Sequence, residues 1–92
     1  MKIELNLEGK NGVFVMTDDN NKEVGELTFM LKEEQMIVNH TGVNPGLRGK
    51  GLAEKLVLEA VKYARKNQLK IIPFCSYVSV YIGKHPELQD VI

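Results

Sequence analysis

Leu47-Arg48-Gly49-Lys50-Gly51-Leu52-Ala53 stands where the periodicity of this chain changes, with a strand pattern behind it and a helix pattern ahead. From Gly49 to Gln68 the apolar positions are Leu52, Ala53, Leu56, Val57, Ala60, Val61 and Ala64. Steps of three and four predict an amphipathic helix with one buried stripe. Glu59, Lys62 and Lys66 take the solvated side, Asn67 is the expected stop, and basic residues in the last turn suit the helix dipole. A helix start leaves about four backbone N–H groups without intrahelical partners and concentrates positive partial charge. Phosphate binds there when the backbone can be approached closely. Gly49 and Gly51 remove the Cβ atoms that would block the approach, and Arg48 and Lys50 add charge at the rim. Pro45-Gly46 turns the chain out of the preceding strand.

Gly-rich strand-to-helix turns are common, so the glycines and bases alone are weak evidence. Two familiar phosphate motifs do not fit. The dinucleotide fingerprint G-x-G-x-x-G/A has Glu54 at its last position, and the P-loop pattern has Leu52-Ala53 in place of Lys-Ser/Thr.

Upstream, the chain reads as a meander of four antiparallel strands. Ile3, Leu5 and Leu7 alternate with Lys2, Glu4, Asn6 and Glu8, giving one apolar face. Gly9 to Gly12 is a turn, Val13 to Met16 a second strand, and Asp18 to Asn21 a second turn. Val24 to Leu31 is a third strand with an expected bulge at Gly25, and Met36 opens a fourth that runs to about Val43. Downstream, Leu69 to Cys75 returns to strand composition, and contiguous Ile71 and Ile72 suggest a buried central strand. Tyr77 to Gly83 is expected to be a short helix, with His85-Pro86 beginning an extended tail. The order predicts a single α+β domain over residues 1–92. An antiparallel sheet of about five strands carries one long helix and a short C-terminal helix on one face.

The chain of 92 residues has an ordinary globular composition, 43% apolar and 26% charged. Twelve basic residues balance twelve acidic ones, which removes the broad electrostatic case for nucleic acid. Cys75 is the only cysteine, which excludes an internal disulfide and points to a reducing compartment. The alternating start is unlike a signal peptide, and no apolar run approaches the roughly 18 residues of a membrane span. A cytoplasmic protein without membrane or nucleic-acid partners is expected. No His/Cys/Asp/Glu set has metal-ligand spacing. An exposed edge strand would permit a weak homodimer but does not require one, so monomer and weak homodimer both stand.

Arg48-Gly49-Lys50-Gly51-Leu52-Ala53 matches the Q/R-x-x-G-x-G/A signature of the GNAT acetyltransferases at Arg48, Gly51 and Ala53. It falls, as in that superfamily, after strand four and at the start of the long helix. His40-Thr41-Gly42-Val43, Pro73-Phe74-Cys75-Ser76-Tyr77 and Lys84-His85-Pro86-Glu87 extend the likeness over about residues 3 to 90. Together they resemble the small YjdJ-like branch, whose members are without the N-terminal helices that wall the acceptor groove in larger relatives. The resemblance implies acetyl-CoA as cofactor. It implies cofactor contacts at Val43, Leu47, Arg48, Gly49, Lys50, Gly51, Leu52, Ala53, Cys75, Ser76, Tyr81, Lys84 and His85.

Acetyl transfer to an amine needs a neutral nucleophile, an oxyanion stabiliser and an acid for the leaving thiolate. Cys75, expected at the end of the last strand near the thioester, is a candidate for carrying the acetyl group, although a lone cysteine is more often an inert buried residue. His40, expected opposite Cys75, could deprotonate the acceptor amine or the thiol, or could simply be a structural strand-face histidine. Tyr77 and Tyr81 are candidate acids, though tyrosines at this spacing more often pack. The expected function is acetyl-CoA-dependent N-acetylation of a primary amine, on a small molecule or a protein lysine, with Cys75 and His40 as the reactive pair. A non-catalytic acyl-CoA-binding module is the alternative.

Overall fold

In the computed structural model, which describes residues 1–92, the alternation of the first half becomes four antiparallel strands. They are β1 (Lys2–Glu8), β2 (Asn11–Thr17), β3 (Glu23–Lys32) and β4 (Gln35–Val43). A short 3₁₀ turn (Pro45–Leu47) leads to helix α1 (Leu52–Lys66), then strand β5 (Lys70–Pro73) and helix α2 (Ser76–Gly83). The sheet order is β1-β2-β3-β4-β5, with β5 parallel to β4, so β5 is an edge strand with only Ile71 buried, not the buried central strand its two isoleucines suggested. The fold is the expected α+β architecture, its last strand pair parallel because α1 is a crossover connection.

Cross-strand partners share a face of the sheet. Phe14, Met16, Leu27, Phe29, Met36, Val38 and Ile71 all lie on one face and are buried. Against them α1 packs Leu56, Val57, Ala60, Val61 and Ala64, and α2 adds Val78 and Ile82. Small Ala60 and Ala64 let α1 approach the sheet closely, and Tyr63 closes one end through Phe14 and Phe29, at ring separations of 6.0 and 5.6 Å. Gly12 is needed there, since a Cβ on it would lie 2.2 Å from Phe29 Cζ.

Two irregularities shape the sheet. The bulge expected at Gly25 is present at its neighbour: Met16 faces Gly25 and Thr17 faces Glu23, which leaves Val24 as the extra residue. A second bulge lies in β4, where Phe29 faces Val38 but Thr28 faces His40. Asn39 is the inserted residue, and its side chain accepts a hydrogen bond from the Thr28 hydroxyl. This insertion reverses the expected alternation beyond Val38. His40 is turned to the face bare of helices, and Thr41, opposite buried Leu27, returns to the helix side.

Three boundaries differ from expectation. Helix α1 begins at Leu52 rather than Gly49, because Gly49 and Gly51 adopt φ values of 84° and 74°, outside the helical range. Strand β5 ends at Pro73, so Cys75 is the N-cap of α2 instead of the end of a strand. Residues Pro86–Val91 form a 3₁₀ helix where an extended tail was expected. Leu88 and Val91, three residues apart, fall on one stripe of such a helix and enter the core. Arg65 fastens this segment through Nε and a terminal nitrogen to the two Asp90 carboxylate oxygens (2.9 and 2.8 Å) and to Glu87 O (2.8 Å).

Candidate active site

The parallel pairing of β4 and β5 is short, running from Gln35–Lys70 to Val38–Pro73. It closes where the Phe74 and Cys75 N–H groups both donate to Val38 O, at 3.0 and 3.1 Å. Beyond that point β4 continues to Val43 while the chain after β5 turns into α2, so the two strands part. The Asn44 N–H donates back to Val24 O on β3 (2.8 Å). Alternation along a strand then directs the Thr41 and Val43 N–H groups to the opposite edge, into the gap.

A cleft of about 490 Å³ occupies this parting. It is lined by Thr41, Gly42 and Val43 of β4, by Leu47, Arg48, Gly49 and Gly51 of the turn, by Leu52 and Ala53 of α1, and by Tyr77 of α2. The turn is held by the Asn44 side chain, which accepts from the Gly46 N–H at 3.0 Å. Gly51 is the N-cap of α1 in a left-handed conformation and has no side chain with which to cap it. The first N–H of α1 to find a carbonyl is that of Lys55, on Gly51 O (3.2 Å), which leaves the amides of Leu52, Ala53 and Glu54 without partners inside the helix. A Cβ on Gly49 would meet nothing within 4 Å, so the approach to these amides is open. Free amides, a helix N-terminus and Arg48 fit a diphosphate.

Seven of the residues assigned to the cofactor line this cleft: Val43, Leu47, Arg48, Gly49, Gly51, Leu52 and Ala53. Lys50, Ser76 and Lys84 are exposed and outside its lining. Tyr81 and His85 also stand outside, in a column with Tyr77. Tyr81 stacks on Tyr77 at 6.2 Å and on His85 at 4.0 Å, and His85 Nδ1 donates to Tyr81 O at 2.7 Å. The Tyr81 hydroxyl donates to Glu54 Oε1 (2.7 Å). Burial and that carboxylate push Tyr81 up to about 12, which makes it a poor proton donor for a leaving thiolate.

Cys75, the last of the assigned residues, is half-buried beside Thr41 and is likewise outside the cleft lining. Burial raises its thiol, but the Val78 N–H, the Thr41 hydroxyl, the Tyr77 N–H and the Thr41 backbone outweigh it, and the net shift is downward. The Thr41 hydroxyl, one of the groups beside the thiol, is buried without a hydrogen-bond partner of its own. His40 does not pair with Cys75 as expected. The β4 bulge puts it on the other face, with its imidazole over Gly42. Thr41 and Gly42 were not assigned to the site from the sequence, because their place depends on that bulge. Tyr77 was visible only as a candidate acid, one helical turn before Tyr81.

A mostly antiparallel five-strand sheet, a glycine turn opening a long helix, and a parting of the fourth and fifth strands define an acyltransferase fold. The sequence pattern described as GCN5-related N-acetyl-transferase matches residues 13–91, and the chain belongs to that family, whose enzymes use acetyl-CoA. A GCN5-like protein from Staphylococcus aureus is 34% identical over 96% of this chain and 85% of its own, with a TM-score of 0.73. Tetrahymena GCN5 is 12% identical over 84% of this chain and 50% of its own, with a TM-score of 0.69, a likeness of fold. An aminoglycoside acetyltransferase from a soil metagenome is 17% identical over 87% of this chain and 60% of its own, with a TM-score of 0.73. The chain thus spans only about half the length of the larger acetyltransferases it resembles. No helix is long and apolar enough to cross a membrane.

Proposed function

We propose that this chain acetylates a primary amine, with acetyl-CoA on the helix side of the sheet and the amine arriving from the bare face. The observation that carries this reading is the end of the β4–β5 ladder at Val38 and Pro73, beyond which the strands part around the cleft. When bound, acetyl-CoA supplies an acetyl group activated as a thioester. The amides of Leu52, Ala53 and Glu54, with Arg48, would hold its diphosphate, and the Thr41 and Val43 N–H groups would hold the amide-bearing arm. Cys75 lies on the donor side, where its thiolate would exchange with the thioester, releasing the coenzyme A thiol, and would leave again as the thiol when the amine nitrogen takes the acetyl group. His40 lies on the acceptor side, where it can take the proton of the incoming amine. The two act from opposite faces, not as one hydrogen-bonded pair.

The test is intact-protein mass after incubation with acetyl-CoA, with calorimetric titration of wild type, Cys75→Ala and His40→Ala. A single acetyl adduct that disappears in Cys75→Ala supports relay through the thiol. Binding and amine turnover that survive Cys75→Ala, with no adduct, assign direct transfer and leave His40 as the base. A wild type that binds no acetyl-CoA overturns the proposal.

A further inference from the structure

Glu54 is the third residue of α1, the place from which a carboxylate can fold back onto the N-cap amide. It does not do so here. Its Oε1 takes the Tyr81 hydroxyl hydrogen across 27 residues of sequence, while Oε2 stays 3.9 Å from where a Cβ on Gly51 would sit. The carboxylate thus stands beside the amides that face the cleft, tied to a different element. Tyr81 is well placed to hold it, since its ring is stacked between Tyr77 and His85 and its carbonyl accepts from His85 Nδ1.

A carboxylate near a helix N-terminus is stabilised by the same partial charges that attract phosphate. Joined to the helix by its own side chain, it competes at a high effective concentration. We propose that Tyr81 is a positioning residue: its hydroxyl tethers Glu54 off the Gly51 N-cap amide and keeps that amide, and the helix start it opens, free for the cofactor diphosphate. The inference rests on the acetyl-CoA reading of the cleft. It makes α2 a contributor to cofactor affinity through a side chain outside the cleft lining.

The test is a double-mutant cycle on acetyl-CoA affinity, measured by calorimetry on wild type, Y81F, E54Q and Y81F/E54Q. Y81F is expected to raise Kd about fivefold, near the upper end of what one charge at a helix N-terminus contributes. E54Q tightens binding, and Y81F/E54Q binds like E54Q. A weakening by Y81F that persists undiminished beside E54Q marks a packing role and overturns the tether. A second readout needs no ligand: the Gly51 amide resonance moves in Y81F, as the freed carboxylate reaches it, and returns in Y81F/E54Q. An unmoved Gly51 amide overturns the inference while leaving the cleft reading intact. A wild type that does not bind acetyl-CoA overturns both.

Discussion

Replacing Gly51 by alanine separates two roles of one residue. Gly51 holds φ 74° and ψ 17° at the N-cap of α1, a left-handed conformation that costs an L-residue roughly 1–2 kcal/mol. Space adds nothing to that cost, because the new Cβ would meet only Glu54 Oε2, at 3.9 Å. For a domain of this size each kcal/mol moves the midpoint by about 4–8 °C, so Gly51→Ala should melt about 4–16 °C below wild type. Gly51→Asn should recover much of that loss, because asparagine tolerates the left-handed region. Both side chains stand over the amides of Leu52 to Glu54, so both should weaken acetyl-CoA. Thermal denaturation by circular dichroism and calorimetric titration measure the two effects side by side. An alanine variant as stable as wild type would refute the strain argument. An asparagine variant with wild-type affinity would refute the claim that open space above these amides matters.

Gly42→Ala tests the placement of His40, since the added Cβ would lie 2.9 Å from His40 Nε2 and the ring must move away. Steady-state assays should show kcat lower by about tenfold or more, with KM for acetyl-CoA little changed. Asp90→Asn tests the clamp on the C-terminal 3₁₀ segment. The hydrogen-bonded Arg65 guanidinium holds the Asp90 carboxyl below its usual value, so its contribution is present above the unfolded carboxylate range and is lost as pH falls through the lower folded value. Melting curves should place Asp90→Asn below wild type at neutral pH, with the difference closing under strongly acid conditions.

Much of the fold was legible because period and position agreed. The alternation of Ile3, Leu5 and Leu7 and the three-and-four spacing from Leu52 to Ala64 each admit one element type; the helix stripe enters the core, while Ile3 and Leu5 only pack against it and Leu7 is exposed. The glycine turn was legible as an anion seat because a missing Cβ is itself a sequence signal. What could not be read was register. Counting by twos along β4 puts His40 on the same face as Val38, and only the inserted Asn39 turns it away. Nothing in Asn39 announces a bulge, since the insertion is set by pairing with β3. The C-terminal segment failed for a related reason: Leu88 and Val91 carry a three-residue period too short to stand out, and Arg65, which fastens it, lies 22 and more residues earlier.

The double acceptance at Val38 O has a consequence for solvent isotope exchange along β4. Where that carbonyl ends the ladder, one edge of the strand keeps its partner β3 and the other loses β5. Neighbouring amides of a single strand should therefore differ in protection, with Gly42 and Asn44 slow on the β3 side and Thr41 and Val43 fast on the open side. A ligand that lies along the parting like an added strand would slow the fast pair and leave the slow pair unchanged. The alternation in one short stretch of backbone would then report occupancy without any label on the ligand.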